Sequence, residues 1–379
     1  MGSVRKVKHR SGSQSWQARW RDPAGVDRSK NLARKVDANQ HLVKLESDKL
    51  RGRYSDPRLA RTKLADWFAE WQATRTNLSP QTRLRDEASI RNHMLPRFGT
   101  VPIGQIQPVH IAQWVADLDG DGLAPATTRK AYQLLAAGLS SAVDNGLIPV
   151  SPCRNVKLPK ITASAMRILE PAETMALAEA IDERYGAIVL TAAYTGLRFG
   201  ELAALRTERF DALRRTLRVE ESLAEVQGQF LIKPPKSDAS RRTVSVPSFV
   251  VEELARHLAA HADDTGRIFS APAGGPIRRT NFRRRIWLPA VRASVGDPCT
   301  FHDLRHTHAA LLIAQGEHPK VIQERLGHAS IKTTLDTYGH LFDGLDEAAA
   351  DRLDELWRAA RVDAMWTQSD SGVIELPTR

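Results

Sequence analysis

Two interruptions constrain this 379-residue chain before any element is assigned. Residues 52–62, and the stretch from Val150-Ser151-Pro152 to Lys160-Ile161-Thr162, lose the apolar periodicity of their flanks, and the second also carries prolines and scattered cations. Such breaks read as linkers. They divide the chain into a small module at 1–58, a second at 62–155, a larger one at 165–360, and a tail at 361–379 expected to lack order. The length exceeds the roughly 100–200 residues of one domain. A hydrophobic content of 42% is enough to give each piece its own core.

Each module has its own pattern. Gln14-Ser15-Trp16-Gln17-Ala18-Arg19-Trp20 alternates with period two, Asp22-Pro23-Ala24-Gly25 is a turn, and a second polar strand runs to Arg34. A helix is expected from Asp37 to Leu50, with Leu42, Leu45 and Leu50 near helical spacing. The middle module reads as all helical. Leu64 to Trp71 has a dense apolar face, Ser79-Pro80 is a cap followed by a first-turn proline, and Gln107-Pro108 and Ala124-Pro125 open two more helices. From Glu170 the pattern is mainly helical, with strands near 216–247 that include Thr216–Val219 and Arg242–Val246. An acidic amphipathic helix is expected from Asp343 to Trp357.

Charge narrows the class of partner. The net charge is +11, and residues 1–60 hold fifteen Lys/Arg against six Asp/Glu, so most of the surplus sits in the first sixth of the chain. A basic, strand-rich module suits a polyanion, nucleic acid first, and it can present strands to a DNA groove. Its structural alternative is a solvated basic segment, with Trp16 and Trp20 as core. Arg83, Arg85, Arg91, Arg129 and Lys130 on the middle helices likewise fit either DNA contact or solubility. Cys153 and Cys299 lack CxxC spacing, which argues against a disulfide framework or zinc knuckle. No apolar run approaches the roughly 18 residues of a membrane span, and the N-terminus lacks a secretory apolar stretch. The expected location is the cytoplasm.

The chemistry lies in the third module. Thr195-Gly196-Leu197-Arg198-Phe199-Gly200-Glu201-Leu202 sets Arg198 and Glu201 three apart, so on a helical turn the carboxylate can hold the guanidinium. Phe301-His302-Asp303-Leu304-Arg305-His306-Thr307-His308 spaces His302 and Arg305 in the same way. Leu326-Gly327-His328 lies ten residues before Tyr338, and Lys236 sits in a turn between two expected strands. Cations of this number suit a phosphodiester. A phenol with a pKa of roughly 10 is a poor nucleophile unless its surroundings favour phenolate and neutralise its target. Singly, each pattern has an ordinary reading: a surface ion pair, a satisfied histidine, a packed tyrosine.

Taken in this order, the set resembles the tyrosine recombinase family, the phage-type integrases, over essentially the whole chain and most strongly across 170–345. The family's TGLRxxEL run is matched by Arg198 and Glu201, its HxLR pair by His302 and Arg305, its LGH histidine by His328, and its nucleophile by Tyr338 in Thr334-Leu335-Asp336-Thr337-Tyr338-Gly339-His340. The family's hairpin lysine is best matched by Lys236, with Lys233 the lesser candidate.

The resemblance implies a multidomain fold: a small α+β arm-type DNA-binding module, an all-α core-binding domain, and a mainly-α mixed α/β catalytic domain, the last two clamping the duplex. It also implies a site-specific recombinase in which Tyr338 forms a 3′-phosphotyrosyl bond and frees a 5′-hydroxyl. Arg198 and Arg305 would hold the non-bridging oxygens, His302 and His328 would donate, His302 would help accept the phenolic proton, and Lys236 would protonate the leaving oxygen. No cofactor or metal is expected. The implied partners are double-stranded DNA at core-type and arm-type att sites, three further copies in a homo-tetramer, a host DNA-bending protein and an excision factor. The helix after Tyr338 either docks on a neighbouring protomer or packs on its own domain.

Three other classes remain open. His302, His306 and His308 raise a zinc hydrolase, although the spacing is not HExxH. A DNA-binding regulator with relic catalytic residues would share the basic modules. A type IB topoisomerase would share the phosphotyrosine chemistry without a specific site.

Overall fold

In a computed structural model the chain forms two compact units, Met1–Ala163 and Ser164–Arg379. The structure describes residues 2–8, 13–22, 25–50, 56, 58–162, 166–233, 241–261, 265–296, 298–342 and 345–369. Lys236 and the turn residues Pro23 and Ala24 lie outside these.

The first unit has two separate cores. Strands β1 (Ser3–Lys8), β2 (Gln14–Arg21) and β3 (Asp27–Leu32) form an antiparallel sheet in the order β1-β2-β3, followed by helix α1 (Lys35–Leu50). Alternation puts Trp16, Ala18 and Trp20 on one face of β2, where Ala18 and Trp20 are buried against Ala38, Leu42 and Leu45 of α1. Leu50, expected to continue that stripe, is exposed at the helix end. β1 was not anticipated. Its Ser-Val-Arg-Lys-Val-Lys sequence offers only two apolar residues, and pairing with β2 makes the strand.

The other core of this unit is helical. It comprises α2 (Leu64–Thr74), α3 (Pro80–Ser89), which continues through a π-helical turn (Ile90–Met94) into α4 (Leu95–Phe98), then α5 (Pro108–Gly120) and α6 (Pro125–Asp144). Ser79 caps α3 by accepting from the Thr82 amide at 3.2 Å. Leu64, Trp67, Phe68 and Trp71 form the helical-period stripe of α2 and pack with Ile111, Trp114, Val115, Leu135 and Leu139. The buried Trp67 indole donates to the Gly138 carbonyl at 2.8 Å, so its polar atom is satisfied.

The second unit is mainly helical with two small antiparallel sheets. Helices α7 (Pro171–Ala180), α8 (Glu183–Thr195) and α9 (Phe199–Ala204) come first. Strands β4 (Phe210–Asp211), β5 (Thr216–Val219) and β8 (Arg242–Ser245) then form one sheet. β6 (Ser222–Val226) and β7 (Gln229–Lys233) form a hairpin closed by Gln227 and Gly228, both at positive φ as a two-residue turn requires. Next are α10 (Ser248–His261), α11 (Arg279–Phe282) and α12 (Leu288–Ser294), the last two joined by a π-helical turn (Arg283–Trp287). The closing helices are α13 (Asp303–Ala314), α14 (Pro319–Leu326), α15 (Ile331–Tyr338) and α16 (Leu345–Ser369).

The main core gathers Ile188, Val189, Ala192 and Ala193 of α8 with Leu217 and Val219 of β5, Leu254 of α10 and Trp287. A smaller cluster joins Ala309, Ile313, Ile322 and Leu326 to Tyr338. α16 runs to Ser369, and residues 370–379 of the expected tail lie outside the described residues. No glycine or proline interrupts the sequence before Gly372, so nothing local stops the helix sooner. Its Leu353, Leu356 and Trp357 are exposed. Among the described residues no helix is long and apolar enough to cross a membrane.

Candidate active site

The site begins where α8 ends. Gly196 takes the left-handed conformation (φ 69°) that terminates the helix, and the chain re-enters helix at once with Arg198 as the cap of α9. Glu201, on the first turn of α9, reaches back to the Arg198 amide at 2.9 Å and accepts from Arg198 Nη1 at 2.8 Å. The i,i+3 spacing therefore does what it allows. Arg198 keeps 39% of its side chain accessible, while that of Glu201 is 6% accessible.

A second guanidinium grips the same carboxylate. Arg242, at the start of β8, donates from Nη2 to Glu201 Oε2 at 2.9 Å and from Nη1 to Oε1 at 3.3 Å. Burial alone raises the Glu201 pKa, but the charge and hydrogen bonds of Arg242, followed by those of Arg198, hold it below its ordinary value.

Arg305, on the first turn of α13, is 2% exposed. It donates from Nη1 to the Gly196 carbonyl and from Nη2 to the Leu326 carbonyl, each at 2.6 Å, which locks the guanidinium between the ends of α8 and α14. Burial, then the neighbouring Arg198, pushes its pKa down to about 9, so it is still charged at neutral pH. α14 ends at Gly327, also left-handed at φ 65°, and the reversal presents His328. His328 shares a 2.9 Å hydrogen bond between Nδ1 and Thr334 Oγ1. Burial and then Arg305 and Arg198 lower its pKa to about 4. His302 is likewise lowered to about 4, by burial, His306 and Arg305. Both imidazoles are neutral at pH 7 and able to donate one hydrogen bond.

Tyr338 closes α15 and is 1% exposed. Burial raises the pKa of its phenol, and the charges of Arg305 and Arg198 pull against that rise. Its hydroxyl lies 2.9 Å from His306 Nδ1. From the sequence, His302 was expected to help accept the phenolic proton, and His306 was named only in the zinc alternative. In the structure the His302 ring instead stands edge-on to His306, with centroids 4.7 Å apart. The signal was present, because His302 and His306 are four apart and share a helix face. Burial lowers the His306 pKa, so its ring is neutral at pH 7.

The histidines of this run do not converge as metal ligands. His308 turns the other way, accepts from Arg325 Nε at 3.2 Å, and is lowered to about 3, chiefly by burial. Among the described residues no group of three or more His, Cys, Asp or Glu is placed to hold a metal ion. The structure thus brings Arg198, Glu201, Arg305, His302, His328 and Tyr338 into one electrostatically linked cluster. Arg242 and His306 join it unannounced. At neutral pH three guanidiniums and one carboxylate leave two positive charges beside a phenol, an arrangement suited to a phosphodiester that gains negative charge as it is attacked.

Comparison with known proteins agrees. The phage integrase family profile matches residues 164–344, and a phage integrase N-terminal SAM-like domain matches 63–118. The ICEBs1 integrase of Bacillus subtilis (strain 168) is 32% identical over 281 residues, covering 70% of this chain and 76% of that protein. The chain belongs to the phage integrase family and is a site-specific recombinase of the tyrosine class. Its fold is that of solved integrases. The Tn1549 transposon integrase in complex with transposon right end DNA superposes with a TM-score of 0.68 at 22% identity, covering 76% of this chain and 98% of that one. A lambda integrase tetramer bound to a Holliday junction gives 0.56 at 20%, covering 86% and 95%.

Proposed function

We propose that this recombinase cuts and rejoins DNA through Tyr338, integrating and excising a phage or other mobile element. The observation that carries the reading is the 2.9 Å contact between the Tyr338 hydroxyl and His306, within the field of Arg198 and Arg305. The phenol attacks the scissile phosphorus and passes its proton to His306 Nδ1. The P–O5′ bond breaks, leaving a 3′-phosphotyrosyl link and a free 5′-hydroxyl. Arg198 and Arg305 stabilise the pentacoordinate phosphorus through its non-bridging oxygens, while His302 and His328 donate to the same group. Lys236 protonates the leaving oxygen. The bond energy is stored in the protein–DNA link, so religation needs no nucleotide.

The basic module at 1–58 suits arm-type sites, the helical domain at 62–155 core-type sites, and residues 165–360 the chemistry. Joining two duplexes requires four cuts, hence four protomers on DNA in the host cytoplasm. Exposed Leu353, Leu356 and Trp357 fit contact with a neighbouring protomer. A host DNA-bending protein and an excision factor fit as accessory partners. The test is to express the protein with its element, capture DNA that stays attached through denaturing washes, and sequence it. Wild type should yield one recurrent junction and Tyr338→Phe none, although that variant still binds DNA. Equal recovery from the two would end this reading.

A further inference from the structure

Arg242 stands apart from the residues to which the reaction is assigned, yet it is more deeply placed than Arg198. Its side chain is 6% accessible, as is that of Glu201, and the two face each other through both carboxylate oxygens. An ionised carboxylate has about four acceptor positions. In Glu201 four donors occupy them: the Arg198 amide, Arg198 Nη1, Arg242 Nη1 and Arg242 Nη2. The Arg242 Nε donates to the Arg325 carbonyl at 2.6 Å, one residue before the Leu326 carbonyl that holds Arg305 and three before His328. Room for this reach is made by Gly327. A Cβ there would lie 2.9 Å from Arg242 Nη1 and 3.2 Å from its Cζ.

The charge count gives this contact its consequence. Were Arg198 the sole partner of Glu201, the pair would be neutral, and a guanidinium committed to a buried carboxylate attracts a phosphate weakly. With Arg242 on the same carboxylate, one positive charge is returned to the site. We propose that Arg242 is a positioning residue for strand cleavage: it absorbs the charge of Glu201, so that Arg198 is held in pose by the carboxylate without being neutralised by it. The contact also ties the start of β8 to the segment that presents His328.

This inference rests on the recombinase reading, and a charge-reversal cycle separates the two. The measurement is single-turnover formation of covalent adduct on a nicked duplex built on the junction recovered by trapping, with DNA affinity measured in parallel. Arg242→Gln should slow adduct formation about 100-fold, the scale of losing one preorganised transition-state donor, and leave DNA affinity unchanged. Arg242→Lys should restore part of the rate. Once Glu201→Gln has removed the carboxylate charge, adding Arg242→Gln should cost nothing further, because there is no charge left to absorb. If Arg242→Gln alone does not fold, this last comparison carries the test, since the double variant leaves no unpaired buried charge. Independent, multiplying losses, or an Arg242→Gln enzyme as fast as wild type, would overturn the role of Arg242 alone. Absence of any adduct with wild type would instead overturn the recombinase reading and this inference with it.

Discussion

Gly196→Ala probes the joint on which the site is built. A non-glycine residue in the left-handed region (φ 69°) costs about 1–2 kcal/mol. The added methyl would also lie 2.6 Å from His308 Cδ2 and 2.8 Å from Leu326 Cδ2. Both neighbours are buried and cannot swing clear, so overpacking adds about 1–3 kcal/mol. The expected loss is about 2–5 kcal/mol. Gly296→Ala is the control, because it shares a positive φ of 75° but meets nothing within 4 Å, and it should lose only the backbone share of about 1–2 kcal/mol. Urea unfolding of both variants, with stability taken from midpoint and slope, measures the difference. The Gly196 carbonyl also anchors Arg305, so adduct formation should fall in the folded fraction of Gly196→Ala and not in that of Gly296→Ala. Equal destabilisation by the two substitutions would refute the packing account of this joint.

Two further outcomes follow from the histidines. His306→Ala should lower the rate of adduct formation about 100-fold, the low end for a proton-transfer group, while DNA binding is unchanged because the ring is neutral; an unaltered rate would remove His306 from the proton path. His302, His308 and His328 have folded pKa values depressed to about 4, 3 and 4 from an ordinary value near 6.5. Above pH 6.5 the folded and unfolded chains are both unprotonated at these rings, and the stabilisation is complete. As pH falls the unfolded chain takes up protons first, so stability should already decline between pH 6.5 and 5 and continue down to about 3, the folded value of His308. Unfolding midpoints that stay flat from pH 7.5 to 5 would contradict the burial of these rings.

The parts of the site legible in sequence are those whose geometry is local. Arg198 with Glu201, and His302 with Arg305, are three residues apart at helix starts, where spacing dictates a shared face. Gly196 and Gly327 end the helices that turn Arg198 and His328 into the site, and those ends were not read from the sequence. What escaped depends on tertiary packing. Arg242 meets Glu201 across 41 residues, and His306 meets Tyr338 across 32, distances over which no periodicity operates. The carbonyls that hold Arg305 are invisible to composition, because every residue has one. In the fold, strands with alternating apolar residues such as β2 were readable, whereas the polar β1 exists only through its pairing.

In the proposed reaction one phenol, that of Tyr338, becomes covalently joined to DNA. Adduct trapped on a nicked junction duplex can be digested with nuclease and protease and its peptides sequenced by mass spectrometry. A nucleotide 3′-phosphate is expected on the peptide that contains Tyr338, and on no other peptide. The same mass on a peptide holding Tyr132, Tyr185 or Tyr194, or on a serine, would contradict it.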